Sequence, residues 1–422
     1  MRSASVREGG DERIVSFDEA LEIVLAQAKL IKPQAVEAVA LVESTGRVLA
    51  TSLMADRDQP PFNRSTRDGY AVRAEDAMSG ATLTVAGQVQ AGGHWDEGLI
   101  PGQAIEIMTG APVPPGADAV VMLEHVEESR DTTRAIRLSD GRRIATGENI
   151  VPRGSEAREG DVVLHAGTEL EPAAVALAAA CGAATVEVFR KPKVSILATG
   201  DELVDVMKTP GPQQIRNSNS YGLAALVSRA GGVPLRLPVA EDRREELERS
   251  IRSARGADLM LLTGGVSMGK YDLVEEVLLS LGGTFFFTGA KMQPGKPVVF
   301  GKLPEKDGMP EVYFFGLPGN PVSSQVTFTC FAEPLLRAIR GGGLEGPRFV
   351  QATLTDEAAG KPGLTRLLPA RLTSNRVRPE VKLVVWQGSG DMAANARANC
   401  YAVLPGETER FRPGDVITVL LR

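Results

Sequence analysis

The sequence predicts a multi-domain α/β plus β protein, built around a central parallel α/β domain with a small β-rich domain before it and an antiparallel barrel or sandwich after it. Three observations lead there. Between residues 193 and 340, short apolar runs alternate with amphipathic segments, the rhythm of a parallel sheet. From 82 to about 143, short β-type runs are divided by turn clusters. After the Gly341-Gly342-Gly343 breaker, Thr, Val and Leu runs alternate with polar residues and no convincing helix appears. A chain of 422 residues is also too long for one domain.

Taken in order, Ser16 and Glu19 form a capping box for a helix running to about Lys29, with Phe17, Ala20, Leu21, Val24 and Ala28 on one face. That face needs a partner. Two prolines and a polar turn make 59–69 a loop before Tyr70-Ala71-Val72. Strands follow at 82–85, 104–108, 119–123 and 135–138, and Pro172 opens an Ala-rich helix that Gly182 closes. In the α/β region the strands fall at 194–198, 233–237, 257–262, 284–287, 297–300 and 312–315. The helices fall at 221–230, 243–255 and 273–281, with a longer one after Pro321 that Pro334 kinks or splits. Asp242 with Glu245, and Asp272 with Glu275, have capping-box spacing. The last strands fall at 381–385, 401–404 and 416–420.

Composition narrows the function. A net charge of −6 offers no basic field for nucleic acid or an anionic membrane, so anionic ligands must be held locally. Cys181, Cys330 and Cys400 are odd in number and widely spaced, which fits a reducing, cytoplasmic setting without disulfides. The three histidines show no zinc spacing, and residues 1–13 have no apolar signal segment.

Ligands of parallel α/β domains gather beyond the carboxyl ends of strands. Four loops there are unusual: Thr199-Gly200-Asp201-Glu202; Thr263 to Asp272, with Gly264, Gly265 and Ser267; Lys291-Met292-Gln293-Pro294-Gly295-Lys296-Pro297; and Pro318-Gly319-Asn320-Pro321-Val322-Ser323-Ser324. Glycines admit a ligand close to backbone N–H groups, and Lys291 and Lys296 supply charge for oxyanions. Asn320 and Ser323 lie at a helix start that Pro321 suits, and Glu202 and Asp272 offer hard oxygens for Mg²⁺. Each has a plain structural alternative as a cap, turn or solvated surface residue. Together they predict a site for a phosphorylated ligand with a divalent cation.

The motifs PPFNRSTRDGYAVR, IMTGAPVPPGADAVVMLE, ILATGDELV, IRNSNSYGL, LLTGGVSMGKYD, KMQPGKPVVFG and FGLPGNPVSS, in this order, resemble the molybdopterin molybdenumtransferases, the MoeA family that includes the E domain of gephyrin. The resemblance covers nearly the whole chain. It implies Mg²⁺-dependent insertion of molybdate into adenylylated molybdopterin with release of AMP. It also implies an elongated N-terminal dimerisation domain (14–52 and 144–190), a small β-rich domain inserted in it (53–143), a MogA-like molybdopterin-binding α/β domain (191–341) and a C-terminal β-barrel (342–422). Glu202, Asp272, Lys291 and Lys296 match the catalytic positions, with Glu202 and Asp272 as metal ligands. Substrate contacts are implied for Thr199, Gly200, Asp201, Ser218, Asn219, Gly264, Gly265, Ser267, Pro294, Gly295, Pro318, Gly319, Asn320, Pro321 and Ser323. Asp68 and Thr109 would come from the partner subunit of a homodimer. Other cofactor-synthesis proteins are further partners by the same resemblance; nucleic acid and membrane are not. The alternatives to this reading are a molybdopterin adenylyltransferase and a non-catalytic dimeric scaffold.

Overall fold

The computed structural model describes residues 13–129, 133–264, 273–306, 308–374 and 376–422. Gly265, Ser267 and Asp272, with the Asp272 capping box, lie outside the described residues.

The α/β unit is a six-stranded sheet ordered Val233–Arg236, Lys193–Ala198, Leu259–Thr263, Val312–Leu317, Val299–Leu303, Thr284–Phe287. The first four strands are parallel. The last two, at 284–287 and 299–303, are antiparallel to their neighbours, so the parallel α/β sheet expected from the sequence carries an antiparallel edge. The stretch between them contains no crossover helix, and a parallel connection requires one of a dozen residues or more. The central strands read as continuous apolar runs because both faces are covered. Ile196, Leu259, Leu261 and Phe315 pack on one side; Leu197, Met260, Leu262 and Phe314 pack on the other.

Helix α1 (Phe17–Ala28) has Ser16 as its N-cap, accepting from the Glu19 N–H at 3.1 Å. Its apolar face, lacking a partner in the sequence, meets Phe331, Leu335 and Leu336 of the α/β core. Strand Ile14–Ser16 runs beside Gly289–Gln293, a strand that the sequence reading took for loop. Helix α2 (Pro172–Ala180) begins at its proline. In the α/β unit follow α3 (Asn219–Arg229), α4 (Arg244–Ala254) and α5 (Leu273–Ser280). The N-cap of α4 is Arg243 with no side-chain bond, so the capping box expected at Asp242 does not form. Beyond Pro321, α6 (Pro321–Thr327) passes through a π-helical turn, Phe328–Ala332, into α7 (Glu333–Ile339). Pro334 has no N–H for the preceding turn, and the wider turn accommodates its ring without a break.

Between residues 36 and 189, three two-stranded ladders tie early segments to late ones: Val36–Ala40 with Thr185–Phe189, Leu53–Met54 with Val162–Leu164, and Arg64–Ser65 with Ile150–Val151. A six-stranded sheet lies within the same stretch, ordered Ala119–Met122, Gly69–Val72, Gln103–Ile107, Thr82–Val89, Ala135–Leu138, Val126–Ser129.

The C-terminal region is a barrel. Strands Thr365–Ser374, Pro379–Leu383, Phe349–Leu354, Val416–Leu421 and Cys400–Leu404 are paired in that order, and the last pairs again with the first. Closure removes both sheet edges. A short helix missing from the sequence reading, α8 (Met392–Arg397), sits beside it, capped by Asp391, which accepts from the Ala394 N–H at 2.9 Å.

Candidate active site

The strand order reverses between Lys193–Ala198 and Leu259–Thr263, since the chain leaves the first strand to one side through α3 and returns on its other side through α4. Such a switch point opens a crevice at the carboxyl ends. A cleft of about 450 Å³ lies there, lined by Thr199, Glu202, Arg216, Ser218, Asn219, Gly264, Pro297 and the run Pro318 to Pro321, among others.

Its floor is closely tied. The Thr199 N–H donates to the Thr263 carbonyl at 2.9 Å. Gly264 has φ +88°, and a Cβ there would stand 2.2 Å from the Thr199 carbonyl oxygen, so the two strand-end loops meet only because this residue is glycine. The Asn219 amide nitrogen donates to Thr263 Oγ1 at 3.0 Å and to the Gly319 carbonyl at 2.6 Å, joining the start of α3 to two loops. Among the described residues, Asn219 Oδ1 and Thr199 Oγ1 are buried without a hydrogen-bond partner. Two unsatisfied polar atoms in one cleft carry a desolvation cost that a bound ligand relieves.

A second cleft, of about 380 Å³, adjoins the first and shares Pro297, Pro318 and Asn320 with it. Pro294, Gly295, Lys296 and Ser323 line it from the α/β side; Arg366, Trp386 and Ser389 line it from the barrel. The Lys296 carbonyl accepts from the Ala290 N–H at 2.9 Å, closing the loop, and a Cβ at Gly295 would meet Thr327 Cγ2 at 2.5 Å. Asn320 occupies the N-cap of α6 but makes no side-chain cap bond, so its amide is not used by the helix. The Ser389 carbonyl accepts from the Val322 N–H at 3.0 Å, fastening the barrel loop to the start of α6. Burial pulls the Arg366 guanidinium below its usual range, and its Nε is buried without a partner among the described residues. A partly desolvated cation gains more from an anion than an exposed one does.

Glu202 is exposed at the rim of the first cleft. Gly200 and Asp201 form the preceding turn without lining the cleft, and Asp201 Oδ1 accepts from the Asp242 N–H at 3.2 Å. The Asp242 carboxyl is raised above its ordinary value, first by burial and then by the charges of Asp201 and Glu202. Three carboxyl groups therefore crowd one strand end. Among the described residues no group of three such side chains is placed to hold a metal; Mg²⁺, however, is commonly held by one or two carboxylates with substrate phosphates, and hard oxygens beside a phosphate-sized cleft fit that pattern.

Other predicted residues lie apart. Lys291 is on strand Gly289–Gln293, exposed, and lines neither cleft. Asp68 and Thr109 belong to the six-stranded β-rich region, where Asp68 Oδ1 accepts from the Thr109 N–H at 2.7 Å and its hydroxyl at 2.8 Å; these bonds hold the Asp68 carboxyl below its usual range. The sequence reading missed Arg216, Arg366, Trp386 and Ser389 as lining residues, and took Asp242 for a cap. Only Asp242 carried a signal, as an acid just beyond a strand end.

Three family profiles match in succession: the MoeA N-terminal region (domain I and II) over residues 15–182, a probable molybdopterin binding domain over 195–338, and the MoeA C-terminal region (domain IV) over 351–421. A molybdopterin molybdenumtransferase of Staphylococcus epidermidis is 34% identical over 416 residues, covering 96% of this chain and 95% of that protein. One from Haemophilus influenzae is 34% identical over 411 residues, covering 96% and 98%. The crystal structure of the molybdopterin biosynthesis moeA protein of Pyrococcus horikoshii superposes with a TM-score of 0.79 at 30% identity, covering 97% of this chain and all of that one.

Proposed function

The chain belongs to the MoeA family of molybdopterin molybdenumtransferases, and on that premise we propose that its adjoining clefts insert molybdate into adenylylated molybdopterin with release of AMP. The observation that carries this reading is the shared wall of the two clefts, which sets a phosphate-type site beside a cationic one.

The first cleft takes the phosphates: Thr199, Ser218, Gly264, Gly319 and Arg216 surround the space, and the buried Thr199 hydroxyl donates to a phosphoryl oxygen. The second takes the molybdate dianion between Lys296 and Arg366, with Ser323 and Ser389 as hydroxyl donors. Placing both reactants across one wall turns an encounter of two anions into a positioned reaction. Glu202 and Asp242, with Asp272 from the sequence reading, would hold Mg²⁺. When bound, Mg²⁺ supplies Lewis-acid polarisation of the phosphate oxygens and offsets their charge. Lys296 and Arg366 stabilise charge on the oxyanion; a water oxygen bonds to phosphorus as the phosphoanhydride linking AMP to the pterin phosphate breaks, the bridging oxygen leaves with the other phosphate, and the water's proton passes to solvent. Asp68 and Thr109, already bonded to each other, complete the cleft of a second copy of the chain.

The test is AMP release from adenylylated molybdopterin with Mg²⁺ and molybdate. The wild type releases AMP in a molybdate-dependent manner, and Arg366→Ala raises the molybdate KM about 10- to 100-fold, the loss of one charge-assisted contact. ATP consumption in its place would identify an adenylyltransferase; neither reaction would leave a scaffold.

A further inference from the structure

We infer that a third pocket, sharing no lining residue with either cleft, binds a small phosphate-bearing or other tetrahedral oxyanion. The pocket, of about 250 Å³, lies where the end of α3, helix α7 and the first and last strands of the barrel meet, and none of its residues lines either cleft. Arg229 ends α3, Arg337 belongs to α7 and Arg340 caps its C-terminus, Arg348 precedes the first barrel strand and Arg422 follows the last. Against these five guanidinium groups the lining sets two side-chain carboxylates, Glu169 and Glu333, and Glu345 adds a third 3.8 Å from Arg337.

The pairing within the pocket leaves positive charge over. Arg340, 9% exposed, bonds Glu169 at 2.5 Å, yet its Nε is buried with no partner among the described residues. Arg337 lies 3.7 Å from Glu333 and 3.8 Å from Glu345. Among the described residues Arg422 has uncharged partners: the carbonyls of Asn395 and Ala398, the Gln325 amide oxygen and the face of Tyr401. Arg229 and Arg348 make no ion pair among the described residues. Three guanidinium groups without a side-chain ion pair among the described residues thus converge from the α/β unit and the barrel on one concavity, in a chain whose net charge is −6.

Like charges drawn together at a junction repel, and acidic side chains to neutralise them are plentiful in this sequence. A multivalent anion reverses the sign of the interaction. Guanidinium forks match the geometry of tetrahedral oxyanions, and the volume admits a phosphoryl group with a small organic remainder. Such a ligand bridges Arg229 of the α/β unit to Arg348 and Arg422 of the barrel and so holds the two together.

The experiment is calorimetric titration of the full-length protein with inorganic phosphate, AMP and molybdate in separate arms, beside thermal unfolding with each. Arg229 and Arg348 are exposed, so the Arg229→Gln/Arg348→Gln double variant leaves the cores intact. The wild type shows a binding component that weakens more than tenfold in this variant, persists in Lys296→Ala and is partly kept by the Lys pair; its ligand raises the unfolding midpoint of the wild type and of Lys296→Ala but not of the double Gln variant. The arm that binds most tightly identifies the source of the anion. No such component in any arm at millimolar ligand, or equal binding by the double variant, overturns the inference.

Discussion

Gly264→Ala tests the construction of the first cleft. Two costs arise from one methyl group. The left-handed backbone at φ +88° costs a non-glycine residue about 1–2 kcal/mol. The Cβ also falls 2.2 Å from the Thr199 carbonyl oxygen, whereas carbon–oxygen contacts settle near 3.3 Å, so one loop must retreat by roughly 1 Å. The carbonyl cannot turn freely, because it shares a peptide plane with the Gly200 N–H, which donates to the Ala240 carbonyl at 3.4 Å. A displacement of about 1 Å in a positioning loop costs on the order of 100-fold in rate. Gly92→Ala separates the two effects: it has φ +78° but nothing within 4 Å of the added methyl, so it bears the strain without the collision. Molybdate-dependent AMP release is therefore expected to fall about 100-fold in Gly264→Ala and to stay near wild type in Gly92→Ala, with a loss of thermal stability in both. Activity of the two variants within about threefold of each other would refute a cleft built on this close approach.

Asp242→Asn should raise the unfolding midpoint at pH 7, because the folded state holds the Asp242 proton more tightly than the unfolded chain and its ionised form weakens the fold. The gain should fade as pH falls through the raised folded-state value and vanish below the ordinary Asp value, and Mg²⁺ should stabilise the wild type more than the variant; calorimetry at several pH values checks both. For the partner-completed cleft, Asp68→Ala and Lys296→Ala, each inactive alone, should regain about a quarter of wild-type AMP release when co-folded, since half of random dimers carry one intact site of two. Activity no higher than that of either parent would place Asp68 outside the site.

The outline of the fold was legible because its signals are local. Buried strands read as apolar runs, Ser16 and Pro172 marked helix starts where they occur, and the glycine breaker preceded the barrel. What was lost depends on pairing. The antiparallel edge had one readable clue, the missing crossover helix between residues 287 and 299. Strand Gly289–Gln293, short and followed by Pro294-Gly295, looks like loop because its order comes from ladders on both sides. Asp242 satisfied a capping pattern three residues from Glu245, but the helix begins one residue later and leaves its carboxyl beside Asp201 and Glu202. Arg366 reads as one cation in a strand, and nothing in its neighbours reports the other chain segment it faces.

That segment explains why the barrel belongs to the site. Strand Gly289–Gln293 leaves the α/β region to run beside the barrel, with Met292 opposite Thr365 and Gln293 opposite Arg366. Arg366 is therefore placed relative to the Lys296 loop by a backbone ladder and not by a flexible linker. The other edge of the same strand pairs with Ile14–Ser16, whose last residue caps α1, and α1 packs on the core beneath α7. Fixing one oxyanion site thus requires the N-terminal strand, the α/β unit and the barrel together. Rigid elements hold reacting groups more closely than loops do, which gives a physical reason for the three regions to be carried on a single chain.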